Sequence, residues 1–273
     1  MPSNHEITRN KGATKQSKPA DINEFPPVSI ITAVFNGQDS IASCIQSVLR
    51  QNYPNIEHII VDGGSTDGTV EVLRHYDGEI ATWISEPDAG VYDAWNKGLK
   101  LASGDWIAFL GADDIYLPGA VNEYMKLART VPDAEFLSSR IEWIHPTGYR
   151  RIMGEPWAWP RFCRFMCTAH PGSMHARSLF ERYGDYNITY RIAADYEFLL
   201  RAGSRLCTGF TPTITVEMQA GGVSDSPAAL RESRRAKIET ANRSSRLGEI
   251  EYRIAFAKLF LRRGLMRLRR GSR

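Results

Sequence analysis

The chain has 273 residues, of which 42% are hydrophobic and 24% charged, a mix that excludes a largely disordered chain, a collagen-like repeat and a small disulfide scaffold. No apolar run approaches the roughly 18 residues of a spanning helix, and residues 1–26 lack an apolar leader. The net charge of +3 divides into +1 over residues 1–26, −5 over 27–245 and +7 over 246–273, so the acidic body disfavours nucleic acid and the basic tail is a feature apart.

In chain order, residues 1–26 read as a disordered arm ending at Pro26-Pro27. VSIITAVF follows, a continuous apolar run of the kind buried in parallel sheets. Ile41, Cys44, Ile45, Val48 and Leu49 then fall at helical spacing behind an Asp39 or Ser40 start. EHIIVD is a second buried strand, Gly63–Gly68 a loop and TVEVLRHY a short helix. ATWISE is a strand, VYDAWNKGLKLA a helix and DWIAFLG a strand. Pro118 is expected to open a helix that runs to about Val131, as proline does at a first helical position. AEFLSSRIEWI is another strand.

Beyond about residue 145 the rhythm weakens through RIMGEPWAWPRFCRFMCTAHPG. Helices are expected over Arg177–Tyr183 and Ala194–Ala202, a strand over TGFTPTITVEMQ, a polar helix from Pro227 and an amphipathic basic helix over 247–270. The alternation predicts an α/β fold with a mostly parallel central sheet over residues 27–245, with no internal repeat. Cys44, Cys163, Cys167 and Cys207 lack metal-type pairing. They are expected to be reduced thiols in a cytoplasmic protein.

Ligands of open α/β sheets bind outside the carboxyl ends of the strands. There the sequence delivers Asp62, followed by Gly63-Gly64-Ser65-Thr66-Asp67-Gly68, and Asp113-Asp114. The glycine loop has neither the GxxxxGK nor the GxGxxG spacing, which weighs against a P-loop or dinucleotide enzyme. Asp67 reads equally as a loop and helix-start residue. Adjacent carboxylates after a buried strand repel, and a hard divalent cation, Mn²⁺ or Mg²⁺, relieves this. Mg²⁺ takes one or two protein carboxylates and completes its shell with phosphate and water, so a carboxylate–metal–diphosphate bridge is the implied chemistry.

VSIITAVFNG, VDGGSTDGT, EPDAGVYDAWNKGLKLASGDWIAFLGADDIYLPGAV and ADYEFLLR occur in that order. Together they resemble the family 2 glycosyltransferases, in particular the branch acting in bacterial O-antigen, capsule and exopolysaccharide assembly. The resemblance spans about residues 27–225. It implies a GT-A fold, a Rossmann-like αβα sandwich. It implies an inverting transfer from a nucleoside diphosphate sugar, with UDP as the usual nucleotide, to a saccharide or lipid-linked acceptor. It places Thr32, Ala33 and Asn36 in the nucleotide pocket, Asp62 on the base, and Asp88 and Lys97 near the nucleotide and its phosphates. Asp113 would face the ribose or sugar, Asp114 would bind the metal and Asp195 would be the general base. A helix start is expected to lower the pKa of Asp195. Two departures stand out: Asp62-Gly63-Gly64-Ser65 where the family often shows Asp-Asp-Gly-Ser, and Gly111-Ala112-Asp113-Asp114 where it often shows Asp-x-Asp-Asp. The family's processive members carry Gln-x-x-Arg-Trp and membrane spans; neither is found here, which favours single addition.

Other readings stay open at this level. His170 either contacts the diphosphate or acceptor or is structural. Trp157 and Trp159 either stack on acceptor sugars or pack in the core. Gly221-Gly222-Val223-Ser224 is either a mobile loop near the donor or a plain turn. A sugar-1-phosphate nucleotidyltransferase and a noncatalytic sugar-nucleotide-binding protein are the alternative functions. Residues 246–273, with Ile250, Ile254, Ala257, Leu261, Leu265 and Leu268 on one helical face and Arg262, Arg263, Arg267, Arg269 and Arg270 at the end, suit an anionic membrane surface. The competing reading is a helix packed on protein.

Overall fold

The computed structural model describes residues 25–222, 224 and 226–270. Residues 1–24 of the expected arm, Val223, and the side chains of the arginines from Arg262 onward lie outside the described residues. The strands are β1 (Val28–Val34), β2 (Ile56–Asp62), β3 (Thr82–Ser85), β4 (Trp106–Gly111), β5 (Ile115–Tyr116), β6 (Phe136–Ile144), β7 (Arg150–Met153), β8 (Ser173–Ala176) and β9 (Thr208–Gln219). The helices are α1 (Ile41–Leu49), α2 (Thr69–His75), α3 (Val91–Leu101), α4 (Ala120–Thr130), α5 (Trp159–Phe162), α6 (Arg177–Tyr183), α7 (Ala194–Ala202), α8 (Pro227–Glu239) and α9 (Ser245–Arg270).

One sheet runs β3-β2-β1-β4-β8-β6-β9-β5, with β7 paired to β6. The pairs among β3, β2, β1 and β4 are parallel. β8 is antiparallel to both β4 and β6, which returns β6 to the common direction, and β9 follows β6 in parallel. Six strands therefore share one direction and the sheet is mostly parallel, as expected.

The pleat sorts the core into two layers. Ile30 and Val34 face Ile41, Cys44, Ile45 and Val48 of α1. Ile31 faces the other way, into a layer with Tyr92, Phe109, Leu179 and Phe198. Helix α3 lies close on that second face because residue 98 is glycine: a Cβ there would collide with Ile31. The result is the αβα sandwich.

Pro118 does not open α4. Gly119, with φ +78, makes the turn and the helix starts at Ala120. A left-handed residue is most easily glycine, and it separates the proline from the first helical turn. The strands β5, β7 and β8 and the short α5 were not expected from the sequence. At the far end, the boundary expected at residue 246 falls in the first turn of α9, which packs on α8. Glu251 of α9 pairs with Lys237 at 3.1 Å and Arg243 at 2.5 Å, a cluster largely shielded from water.

Candidate active site

The carboxyl ends of three strands are level. Val34 pairs with Asp62, and Ala33 pairs with both Val61 and Gly111. Paired residues point to the same side of the sheet. Val34 and Asp62 therefore face α1 and α2, whereas Ala33 and Gly111 face α3.

That alternation decides which residues can meet a ligand. Asp62 is fully buried. Its Oδ2 accepts from the Gly64 and Ser65 amides at 3.1 and 3.0 Å and from the Ser85 hydroxyl at 2.6 Å, while its Oδ1 accepts from the Ser65 hydroxyl. These bonds fasten the glycine loop to β3. The next position, Gly63, is the one that looks toward α3. A Cβ built on Gly63 would lie 2.5 Å from Asp88 Oδ2 and 3.4 Å from the Phe35 ring. The space beside the backbone of residue 63 is thus filled by a carboxylate delivered from the β3–α3 loop. Asp88 Oδ1 accepts from the Gly90 amide at 2.7 Å, which leaves Oδ2 toward the cleft.

Two other expected pocket residues have partners within the protein. Thr32 shares the α1 face with Val34 and is fully buried, its hydroxyl 3.0 Å from His58 Nε2; it does not line the cleft. Lys97 donates to the Pro87 carbonyl at 2.8 Å and pairs with Glu86 at 2.8 Å, so it steadies the loop carrying Asp88. Glu86 holds its ammonium above the ordinary pKa. Asn36, at φ +50, joins the two rim loops: its amide donates to the Ser65 hydroxyl at 2.7 Å and its Oδ1 accepts from the Thr66 amide at 2.9 Å. Asp67 accepts from the Thr69 and Gln38 amides, the loop and helix-start role. Ala33 remains partly open on the α3 face.

Asp113 and Asp114 form the turn between β4 and β5. A Cβ on Gly111 would meet Asp114 Oδ2 at 2.7 Å and Asp113 Oδ1 at 3.1 Å, so both carboxylates converge on one point. Asp114 is 6% exposed, and its Oδ1 accepts from the Gln219 amide at 3.1 Å. Burial, and then the Asp113 charge, push it up to about 7. Two converging carboxylates, one of them buried, fit a hard divalent cation that completes its shell with non-protein oxygens. Among the described residues no cluster of three or more such ligands exists.

On the other side of the cleft, Asp195 sits in the first turn of α7. The Tyr92 hydroxyl lies 2.9 Å from Asp195 Oδ1 and 2.7 Å from the Ile192 carbonyl. One phenol proton cannot serve both acceptors fully, so an ionised Asp195 draws it and a protonated Asp195 releases it to Ile192. Burial raises Asp195 from its ordinary 3.8 to about 6. The expected lowering by the helix start is overridden, because desolvation of the charged form outweighs a terminal dipole. Glu232 of α8 accepts the Arg191, Ile192 and Ala193 amides at 2.9, 2.7 and 3.0 Å and so fixes the approach to α7.

A chain of rings runs from Tyr92, which touches Asp195, to Phe109 of β4, the strand that ends at Gly111. Tyr92 meets Trp95 at 5.2 Å between ring centroids, and Trp95 meets Phe109 of β4 at 4.9 Å. His170 stacks on Trp95 at 4.7 Å, and its Nε2 is 3.1 Å from the Tyr186 hydroxyl. Burial takes this imidazole down to about 3, so it is a neutral ring rather than a charged contact. Trp157 is not brought here. It packs on Phe162 at 4.0 Å and on Phe136, the first residue of β6, at the amino edge of the sheet. Ser224 is exposed in the turn between Gln219, which touches Asp114, and Ser226, which caps α8. Tyr92 and Glu232 had no role in the sequence reading. Tyr92 and Trp95 carry an i, i+3 signal within VYDAWNKG, whereas nothing in the sequence ties Glu232 to residues about 40 positions earlier.

The model for "Glycosyl transferase family 2" matches residues 29–174. A PGL/p-HBAD biosynthesis glycosyltransferase of Mycobacterium bovis (strain BCG / Pasteur 1173P2) is 32% identical over 190 residues, 66% of this chain and 70% of that one. Staphylococcus aureus TarS 1–349, solved with UDP-GlcNAc, superposes with a TM-score of 0.62 at 16% identity, covering 83% of this chain and 70% of that one. The mannosyltransferase PcManGT of Pyrobaculum calidifontis, solved with GDP-Man and Mn²⁺, superposes with a TM-score of 0.58 at 19% identity, covering 82% and 66%. These likenesses support the GT-A fold.

Proposed function

This chain belongs to glycosyl transferase family 2, and from that membership we propose a single-addition, inverting transfer of one sugar from a nucleoside diphosphate sugar to a hydroxyl of a saccharide or lipid-linked saccharide in surface polysaccharide assembly. The observation that carries the reading is a converging carboxylate pair, Asp113 and Asp114, at the end of β4, together with a lone carboxylate of raised pKa, Asp195, tied to β4 through Tyr92, Trp95 and Phe109.

The donor lies along the strand ends. Asp88 Oδ2 is placed to accept one N–H of the base while its Oδ1 stays with Gly90. Uracil presents a single imide N–H, whereas guanine presents two donors side by side, so a UDP-sugar is the donor we assign. Ala33, small and partly open, would leave space for the base beside Asp88, and Asn36 holds the rim. Asp113 and Asp114 would hold a Mn²⁺ or Mg²⁺ ion, whose chemistry is to stabilise the leaving diphosphate. Solved relatives in this fold include one carrying Mn²⁺.

The acceptor hydroxyl approaches from the α7 side. Asp195, with a pKa near 6, is ionised at neutral pH and strong enough as a base to take the proton late in the transfer. The bond from the acceptor oxygen to the anomeric carbon forms as the bond to the phosphate oxygen breaks. The proton goes to Asp195 and the electron pair to the diphosphate. One displacement from the face opposite the leaving group inverts the anomeric centre. Tyr92 supplies its hydroxyl proton to Asp195 Oδ1 in the ionised state and keeps the carboxylate aimed.

The test is nucleoside diphosphate release with Mn²⁺ or Mg²⁺ against EDTA, for wild type and Asp195→Asn. Metal-dependent turnover that Asp195→Asn loses supports the reading. Full turnover in Asp195→Asn rejects Asp195 as the base.

A further inference from the structure

Helix α9 has two faces with different fates. Gly248 and Leu259 are buried, and Tyr252 and Ala255 are partly covered, so that side is docked on the body. Leu247, Ile250, Ile254 and Leu261 recur at intervals of three, four and seven on the opposite side, at 3.6 residues per turn. They are exposed, Ile254 by 49% and Leu261 by 68%. The Phe256 and Phe260 rings, 4.6 Å apart, flank this stripe. The docked face accounts for how the helix is held; it does not account for a row of large apolar side chains directed away from the body.

The charge shows what the stripe is built to meet. The two acids of α9 are both committed. Glu251 faces Lys237, Arg243 and Arg164 of the body, and Glu249 pairs with Arg234 at 3.1 Å and Arg253 at 2.8 Å. What remains is basic, since residues 246–273 carry +7 while residues 27–245 carry −5. From residue 262 onward the sequence continues with six arginines and no acid. A second copy meeting the stripe symmetrically would bring two such basic segments together, which like charge opposes. An anionic surface neutralises them.

We propose that α9 lies in the plane of an anionic phospholipid bilayer, with the Leu247–Ile250–Ile254–Leu261 stripe in the acyl boundary and its basic side chains at the headgroups. An in-plane helix needs such an apolar stripe, edged by cations and too short in hydrophobic extent to span. No helix among the described residues is long and apolar enough to cross a membrane. The docking of α9 by its other face ties the body to the helix that meets the bilayer. This association is independent of the sugar-transfer reading.

Flotation of the full chain with vesicles tests it. Vesicles of phosphatidylcholine alone are compared with vesicles containing about 30% phosphatidylglycerol, at low and high salt. The expected result is at least about tenfold more bound protein on the anionic vesicles, weakened by salt. Ile250→Ser/Ile254→Ser/Leu261→Ser should lose about tenfold or more of that binding. Its melting temperature and nucleotide release in solution should be unchanged, because all three side chains are exposed. Arg253→Glu/Lys258→Glu keeps the stripe and should reduce binding to anionic vesicles alone. Equal binding to both vesicle types, or undiminished binding by the serine variant, overturns the proposal. So does a wild-type dimer that the serine variant converts to monomer without lipid dependence, an outcome that assigns the stripe to a second copy. Loss of nucleotide release with lipid binding intact would instead count against the catalytic reading.

Discussion

Replacing Asp195 by asparagine should stabilise the protein while abolishing its activity. The carboxyl is raised from 3.8 to about 6, chiefly by burial. Between those two values the folded chain holds a proton that the unfolded chain has released, so stability falls as pH rises through the window. Above about pH 6 the whole penalty is present. Two pKa units correspond to about 3 kcal/mol at 1.36 kcal/mol per unit. Asp195 keeps part of its surface open to solvent, which halves this to ~1–2 kcal/mol. At about 2–4 °C per kcal/mol for a chain of this size, Asp195→Asn should melt roughly 2–8 °C higher at pH 7.5. The difference should close as pH drops below about 4. The side-chain amide oxygen still accepts from Tyr92, so the fold loses nothing there. Turnover should fall by about 10²–10⁴-fold, the usual contribution of a positioned base. Thermal unfolding of both proteins from pH 4 to 8, beside nucleotide release, checks it. A variant less stable than wild type at pH 7.5, or a gap that widens toward acid, refutes the desolvation reasoning.

Asp114→Asn removes a buried charge facing Asp113; in EDTA it should melt higher than wild type, and Mn²⁺, which should raise the wild-type melting point by mass action, should no longer do so. Tyr92→Phe deletes the proton donated to Asp195. Asp195 should then titrate higher, and the acidic limb of kcat/KM should move upward from about 6 with turnover recovering at higher pH; an unmoved limb would mean that the phenol only fills space. Gly63→Ala places a methyl 2.5 Å from Asp88 Oδ2, and UDP binding measured by calorimetry should weaken by about tenfold. The same change added to Asp88→Ala should weaken binding no further, because both substitutions act through one carboxylate.

The parallel half of the fold was legible because its strands are buried on both faces and read as unbroken apolar runs, as in Val28–Val34 and Trp106–Gly111. The antiparallel strands were not. β8 is Ser-Met-His-Ala, and β5 is two residues held by a β9 partner more than a hundred positions on; such short strands exist only because a distant neighbour supplies the ladder. In the site, the carboxylates could be counted from sequence but not aimed. Asp62 and Gly63 differ by one step of the pleat, and that step sends the aspartate into the loop scaffold and the glycine toward the cleft. Asp88 reaches the same place from the loop between β3 and α3, a juxtaposition set by how α3 packs on β1 and β2. The supporting groups Tyr92 and Glu232 act across about 100 and 40 residues, distances over which periodicity carries no information.

How each buried acid is supplied separates scaffold from chemistry. Asp62 receives four donors, two amides and two hydroxyls. Among the described residues Asp114 is supplied only by the backbone of Gln219 and Gly111, and Asp195 by the Tyr92 hydroxyl and the start of its own helix. Among the described residues neither pairs with a lysine or arginine. An ionised carboxylate left short of partners in a low-dielectric site is a standing destabilisation. In the reaction proposed above it would be relieved at Asp114 by a cation and at Asp195 by a proton. Those are the two species the proposed sugar transfer needs at its leaving and attacking oxygens. The strain that marks the site and the reaction assigned to it therefore have a common origin in charge that the protein alone does not balance.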